Sequence, residues 1–387
     1  MTRARALRIL GRVALLVAVV VLGTELGLRA LGLGARSPSG YPEGLYAAAP
    51  DAGFALARDF AGEMADPAGG APIPLATNAD GFRDATFGPK PPGTLRVLAL
   101  GDSFAFGHGV RAEQSYPEQL ERLLARPERA VEVLNLGVPG YNTAQELAQL
   151  RRLGAELAPD LVLVGCYLGN DLSGNLERRQ ALPRPRHGVL VAAELGEPEW
   201  RVTLRADILY YSRIARGLQA WSRTRHLHRV QSEGGLVAAV CETLDWDAGT
   251  ALELFLAEPT ADARDATALT AELLAALHAH CRDALGVPCA VVLLPAPLQY
   301  DPAWLQLAQQ SCGLDPARYD VDRPNRELLA AAQRDGCPAL DLTPAFRARR
   351  MADPTELLYL DVHFDAAGHR LAAEELARFL AERGLVP

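Results

Sequence analysis

Residues 98–109 read Leu-Ala-Leu-Gly-Asp-Ser-Phe-Ala-Phe-Gly-His-Gly, an apolar run that breaks into Gly-Asp-Ser. A serine hydroxyl at the point where a buried strand turns into a loop has a fixed position, access to substrate and backbone N–H groups able to face a developing oxyanion. Ser103 is therefore the candidate nucleophile. Ala105 stands where the second glycine of Gly-x-Ser-x-Gly would be, so the nucleophile elbow of the α/β-hydrolases is absent.

Two more apolar runs end in comparable chemistry. Val131 to Leu136 stops at Gly137, in Asn-Leu-Gly-Val-Pro-Gly-Tyr-Asn, and Leu161 to Cys166 runs into Tyr-Leu-Gly-Asn-Asp at 167–171. Short apolar runs separated by helical patterns predict βαβ units and a parallel sheet whose ligands bind beyond the carboxyl ends of the strands. Ser103, Gly137 and Asn170 are then expected at one edge. Near the C-terminus, Leu-Asp-Val-His-Phe-Asp-Ala-Ala-Gly-His at 360–369 precedes an amphipathic helix and supplies a base, His363, with a carboxylate, Asp361, to orient it.

With these blocks in order, the chain resembles the SGNH (GDSL-type) hydrolase superfamily, over roughly residues 77–386. The matching positions are Ser103, Gly137, Asn170 and His363. The resemblance implies a three-layer α/β/α sandwich around a five-stranded, mostly parallel, flavodoxin-like sheet. It also implies a serine esterase in which Ser103 attacks, His363 accepts the proton and Asp361 fixes the imidazole. The oxyanion hole expected is the Ser103 and Gly137 backbone N–H groups and the Asn170 side chain, with Asp102 and Asp171 bonding nearby loop N–H groups. Asp361 lies two residues before His363 where many members place it three before, a spacing similar to that of the alginate O-acetyltransferase branch. An O-acyltransferase working on an exported polysaccharide with a partner acyl donor in the envelope is thus the alternative to an esterase acting on a glycan, lipid or small-molecule ester. His108 is a weaker candidate base than His363, and His369 reads as part of the last helix.

The segmentation follows from periodicity. Strands are expected at 96–100, 131–136, 160–166, 290–294 and 339–342, and helices near 115–126, 142–156, 324–335 and 367–384, with another presenting Leu269, Leu273, Leu277, Cys281 and Leu285 on one face. Residues 35–76, rich in Pro, Gly and Ala, read as a tether, and Asn78 to Asp84 as a simple turn. An insertion at about 173–262 carries many arginines, which suit either a solvated surface or a cationic lid.

Before all this, Arg3, Arg5, Arg8 and Arg12 precede the charge-free stretch Val13 to Gly23, and Ile9 to Leu33 is long enough to cross a bilayer. Residues 1–34 are read as a signal-anchor, the alternative being a cleaved signal peptide, and either places the catalytic domain outside the cytoplasm. Glu25 and Arg29, at i and i+4, are spaced to pair. In the 387-residue chain, 49% hydrophobic content suffices for a large core, while a net charge of −8 argues against a nucleic-acid partner. The six cysteines show neither Cys-x-x-Cys nor zinc-ligand spacing, and no cofactor or metal is expected.

Overall fold

The computed structural model describes residues 3–33, 41–177, 183–191, 198–218, 221, 252–301, 306, 315–360 and 362–386. Five strands form the central sheet: β1 (Leu95–Leu100), β2 (Val131–Asn135), β3 (Leu161–Tyr167), β4 (Cys289–Leu294) and β5 (Ala339–Asp341). Every pairing in it is parallel, and the order is β2-β1-β3-β4-β5. β1, β3 and β4 are buried at every position. Helices on both faces remove such strands from water, and the sequence answers with unbroken apolar runs rather than alternation. Chain order reverses between β1 and β3, so a crevice opens beyond their carboxyl ends. Ser103 follows the first and Asn170 the second.

The helices include α1 (Arg3–Ala30), α2 (Tyr116–Leu124), α3 (Thr143–Leu157), α4 (Glu199–Tyr211), α5 (Ala261–His280), α6 (Arg323–Arg334) and α7 (Ala366–Glu382). α7 packs on α2, while α5 packs on both α3 and α6. Of the face expected for α5, Leu277 and Cys281 are fully buried and Leu273 and Leu285 pack half-buried on the core, but the buried face is centred on smaller residues. Ala263, Ala266, Thr267, Thr270, Leu274 and Leu277 point inward, whereas Leu269 and Leu273 are only half-buried. Small residues let α5 approach the helix Asp171–Glu177 closely, and Asn175 Nδ2 donates to Thr270 Oγ1 at 2.8 Å.

Residues 41–76 are not a tether. Tyr46–Ala49 pairs with Gly53–Leu56, and Ala61–Met64 with Ile73–Ala76, as two antiparallel hairpins. Leu45, Phe54, Leu56, Met64 and Leu75 join the same core as the sheet. Tyr141 Oη donates to Phe54 O (2.6 Å) and Gln145 Nε2 to Ala52 O (2.6 Å), so the first hairpin braces the loop after Gly137. Strands of four residues built from Ala, Gly and Pro leave little alternation to read, which is why the segment resembles a linker. Residues 34–40 lie outside the described residues.

Among the described residues Cys166, Cys281, Cys289 and Cys337 are buried free thiols. Cys241 and Cys312 lie outside them. Cys281 closes α5, Cys289 opens β4 and Cys337 precedes β5, so residues without a spacing motif meet at the amino ends of two strands. Ligand atoms of His278, Cys289 and Cys337 lie within 4.8 Å of one another there.

His369, on α7, is fully buried and its Nδ1 accepts the Tyr116 N–H at 3.2 Å. Burial, aided by the nearby His363 and Arg83, pushes its pKa down to about 3. The unfolded chain takes a proton near pH 6.5 that the folded chain refuses, so this group withdraws stability as pH falls from about 6.5 toward 3. Urea denaturation across that range should show His369→Leu losing up to about 1.4 kcal/mol per pH unit of the wild-type slope, and an unchanged slope counts against the assignment. Phe54→Ala should cost about 3–5 kcal/mol, against almost nothing for a tether residue, as read by the same denaturation midpoint.

Candidate active site

Asp102 is the N-cap of a four-residue helix, Ser103–Phe106, and its Oδ1 accepts the Phe104 N–H at 2.9 Å. Ser103 thereby occupies the first helical position, where the backbone N–H has no intrahelical acceptor. The helix stops at Gly107, whose φ of 78° is left-handed, and His108 N–H donates to Ser103 O at 3.0 Å. These bonds hold a side chain that is only 6% exposed.

His363 Nε2 lies 3.0 Å from Ser103 Oγ across 260 residues of chain. The histidine belongs to a two-residue strand, His363–Phe364, that pairs antiparallel with Tyr359–Leu360. So short a strand fixes a backbone weakly, and ring packing supplies the remaining constraint. The imidazole centroid is 5.3 Å from that of Phe104 and 4.3 Å from that of His108, which in turn packs at 4.9 Å on Tyr41. His108, the weaker candidate base, therefore packs on the imidazole of His363. Asp361 lies outside the described residues.

Asn170 Nδ2 reaches Asp102 Oδ2 at 3.4 Å, and Asp171 Oδ2 accepts the Tyr167 N–H at 2.8 Å. Both aspartates are fully buried. Burial pushes the Asp102 carboxyl above the usual carboxylate range, against the Phe104 N–H, the nearby His363 and the Asn170 amide, which favour its charged form.

Gly137 meets a steric demand at this position. A Cβ there would stand 2.3 Å from Phe106 N and 2.7 Å from Ala105 C, so only glycine lets β2's exit pass against the Ser103 helix. Its N–H donates to Asn135 Oδ1 at 3.0 Å. Asn135 is itself buried, and its Nδ2 donates to Ala105 O at 2.8 Å. One carboxamide thus ties the Gly137 loop to the helix carrying Ser103.

Arg83 is a second residue that local reading passed over. The turn Asn78 to Asp84 delivers its guanidinium, 2% exposed, to the carbonyls of Gly107 (2.7 Å), Val110 (2.9 Å) and Phe106 (3.2 Å). The carbonyls at the end of the Ser103 helix would otherwise lack partners. Burial pulls the Arg83 pKa down to about 10, which leaves it charged at neutral pH. The signals available were a polar residue closing an apolar strand, for Asn135, and an arginine inside a Gly-Phe-Arg-Asp turn, for Arg83.

The arginines of the insertion that are described are engaged within the chain. Arg184 pairs with Glu199, Arg186 with Asp207 and Arg216 with Glu43, while Arg213 donates to the carbonyls of Leu28 and Leu33. Arg178, Arg179, Arg223, Arg225 and Arg229 lie outside the described residues.

Residues 99–371 match the GDSL-like lipase/acylhydrolase family. An arylesterase of Vibrio mimicus is 34% identical over 79 residues, which are 20% of this chain and 40% of that protein. The chain therefore spans well under half the length of that relative. Among solved structures, TesA is similar over 75% of this chain and 99% of its own, at 16% identity and a TM-score of 0.38. The acetyl xylan esterase AlAXEase is similar over 73% and 98%, at 12% identity and a TM-score of 0.40. With the family matched across most of its length, from the end of β1 into the last helix, the chain belongs to the GDSL-like lipase/acylhydrolase family of ester hydrolases.

Proposed function

We propose that the protein is an exported serine esterase, held at the membrane by α1, that removes a short acyl group, acetyl among them, from a glycan, lipid or other cell-envelope molecule. The 3.0 Å contact between Ser103 Oγ and His363 Nε2 carries this reading. It is the nucleophile–base geometry that acyl transfer to serine needs.

In the first step Ser103 Oγ attacks the ester carbonyl carbon as His363 Nε2 takes the hydroxyl proton. The C–O bond to the alcohol then breaks, the imidazolium protonates the departing oxygen, and an acyl-serine remains. Water attacks the acyl carbon with His363 again as base, which releases the acid and restores Ser103. Asp361 is assigned to His363 Nδ1, where its charge holds the tautomer and stabilises the imidazolium. The oxyanion is assigned to the Ser103 N–H and the Asn170 amide, whose orientation Asp102 sets. Gly137 N–H joins them by sharing its hydrogen between the oxyanion and Asn135 Oδ1.

The Asp361-Val362-His363 spacing and the apolar α1 favour one second reading, in which a glycan hydroxyl replaces water in the second step and an envelope partner supplies the acyl donor. The two differ only in what attacks the acyl-serine, so product analysis separates them.

The direct test is release of p-nitrophenol from its acetyl ester by the full chain in detergent micelles. Ser103→Ala should abolish turnover, a loss on the order of 10⁶-fold, and a fluorophosphonate should label Ser103 in the wild type. Folded wild type that neither turns over this ester nor transfers its acyl group to an added oligosaccharide, and leaves Ser103 unlabelled, overturns the proposal. Asn170→Ala should lower kcat about 10²- to 10³-fold with a small change in KM. Asn135→Ala should also slow turnover, and should lower Tm as well, because it leaves Ala105 O and Gly137 N–H unpaired in the core; a variant altered in neither respect removes Asn135 from the account.

A further inference from the structure

α4 carries two incompatible faces. Ala206 is buried, while Trp200 (63% exposed), Leu204 (51%), Ile208 (48%) and Tyr211 (61%) form one stripe at i, i+4, i+8 and i+11 that faces away from the protein. Leu218 and Trp221 continue the exposed apolar surface just beyond it. Arg201 and Arg205 flank the stripe, with the Arg201 guanidinium 5.6 Å from the Trp200 ring. In water such a surface has no reason to be retained, since a single side chain of this size gains about 1.5–3 kcal/mol from burial.

What covers it is indicated by where α4 is fastened. α1 contains Ile9–Ala30, whose most apolar 18 residues have mean hydropathy 2.1 and are unburied; at 1.5 Å per residue they reach about 27 Å, close to a hydrocarbon layer about 30 Å thick. Near the end of that stretch Glu25 pairs with Arg29 at 3.0 Å. The same carboxylate accepts the backbone N–H groups of Arg213 (3.0 Å) and Ile214 (3.2 Å) and the Ser212 hydroxyl (3.2 Å). It therefore caps the turn that follows α4. Arg29 also donates to Tyr211 O, and Arg213 to the carbonyls of Leu28 and Leu33. The polar end of α1 and the carboxyl end of α4 form one knot, and the apolar stripe begins at that level.

We propose that α4 is an interfacial helix, lying in the headgroup layer of the bilayer that α1 crosses, with Trp200, Leu204, Ile208 and Tyr211 in the lipid. This rests on the reading of α1 as a membrane span. Tryptophan and tyrosine suit that depth. The seat also places the cleft. Asp207 of α4 holds Arg186 and His187 of the hairpin Arg184–Val191, with His187 Nε2 at 2.7 Å. That hairpin accepts Tyr46 N–H through Gly188 O at 3.1 Å, and Tyr46 Oη donates to Pro139 O at 3.4 Å. A continuous series of contacts thus runs from the bilayer surface to the loop that follows Gly137.

The test uses the full chain in vesicles of phosphatidylcholine and phosphatidylglycerol, with Trp221, Trp246 and Trp304 replaced by phenylalanine so that Trp200 reports alone. Blue-shifted Trp200 emission, quenched by phosphatidylcholine brominated near the headgroup end of its chains more than by lipid brominated near the chain ends, is expected. A companion protein carries Val17→Trp with Trp200→Phe to report on α1. Quenching of that probe with water-like, unquenched Trp200 overturns the seat while leaving the anchor standing. Absence of quenching at both positions overturns both. Blue-shifted Trp200 emission without bromine quenching means that protein, a second copy included, covers the face, and also overturns the proposal. Leu204→Glu with Ile208→Glu should sharply reduce Trp200 quenching while p-nitrophenyl acetate turnover stays within about twofold, since neither residue touches the cleft; full quenching in this variant counts against the seat.

Discussion

No side chain can stand at position 137. The Gly137 α-carbon lies against the backbone of Ala105 and Phe106, and the hydrogen-bond exchange through Asn135 locks the two segments in that approach. Everything that makes Ser103 usable follows from this contact. The four-residue helix is too short to hold itself by propensity, because helix nucleation alone is unfavourable. Its position comes instead from a cap at one end, Arg83 on the carbonyls at the other, and the β2 exit along its side. The hairpin at 46–56 then braces the same loop from outside through Tyr141 and Gln145. Ser103 is thus set by backbone packing as much as by side-chain hydrogen bonds.

Sequence reading succeeded where information is local and periodic. The sheet's strands were legible within one or two residues because burial on both faces demands continuous apolar runs, and their order came with the family resemblance. It failed where partners are distant in the chain. Nothing near Asn135 announces that its amide will span to Ala105, and nothing in Asn78 to Asp84 says that Arg83 will reach Val110. The hairpins at 46–76 were misread because alanine and glycine alternate with little contrast, although Phe54 and Leu75 are as buried as any strand residue. The cysteines illustrate the same limit: Cys281, Cys289 and Cys337 share no motif, and topology alone brings them to the amino ends of β4 and β5.

Charge in the insertion shows how composition misleads about function. A run of arginines suggests a surface waiting for an anion, yet Arg184, Arg186, Arg213 and Arg216 each have a carboxylate or a carbonyl to hold. Exposed pairs of this kind contribute little stability individually. Their combined effect is geometric, since they join α1, α4 and the small hairpins into one body. These four arginines act as ties, and the stripe exposed on α4 is apolar.

The separation of Ser103 from His363 by 260 residues has a consequence for how the molecule comes to life. Ser103, Gly137 and Asn170 sit at the ends of three neighbouring strands and can be arranged as soon as that half of the sheet condenses. His363 arrives on a two-residue strand that depends on the α7 segment behind it, after the largest loop in the site has closed. On the proposed mechanism, a chain whose C-terminal segment has not docked therefore holds the candidate nucleophile without the base proposed for it, and the pairing of the two is completed by the fold itself.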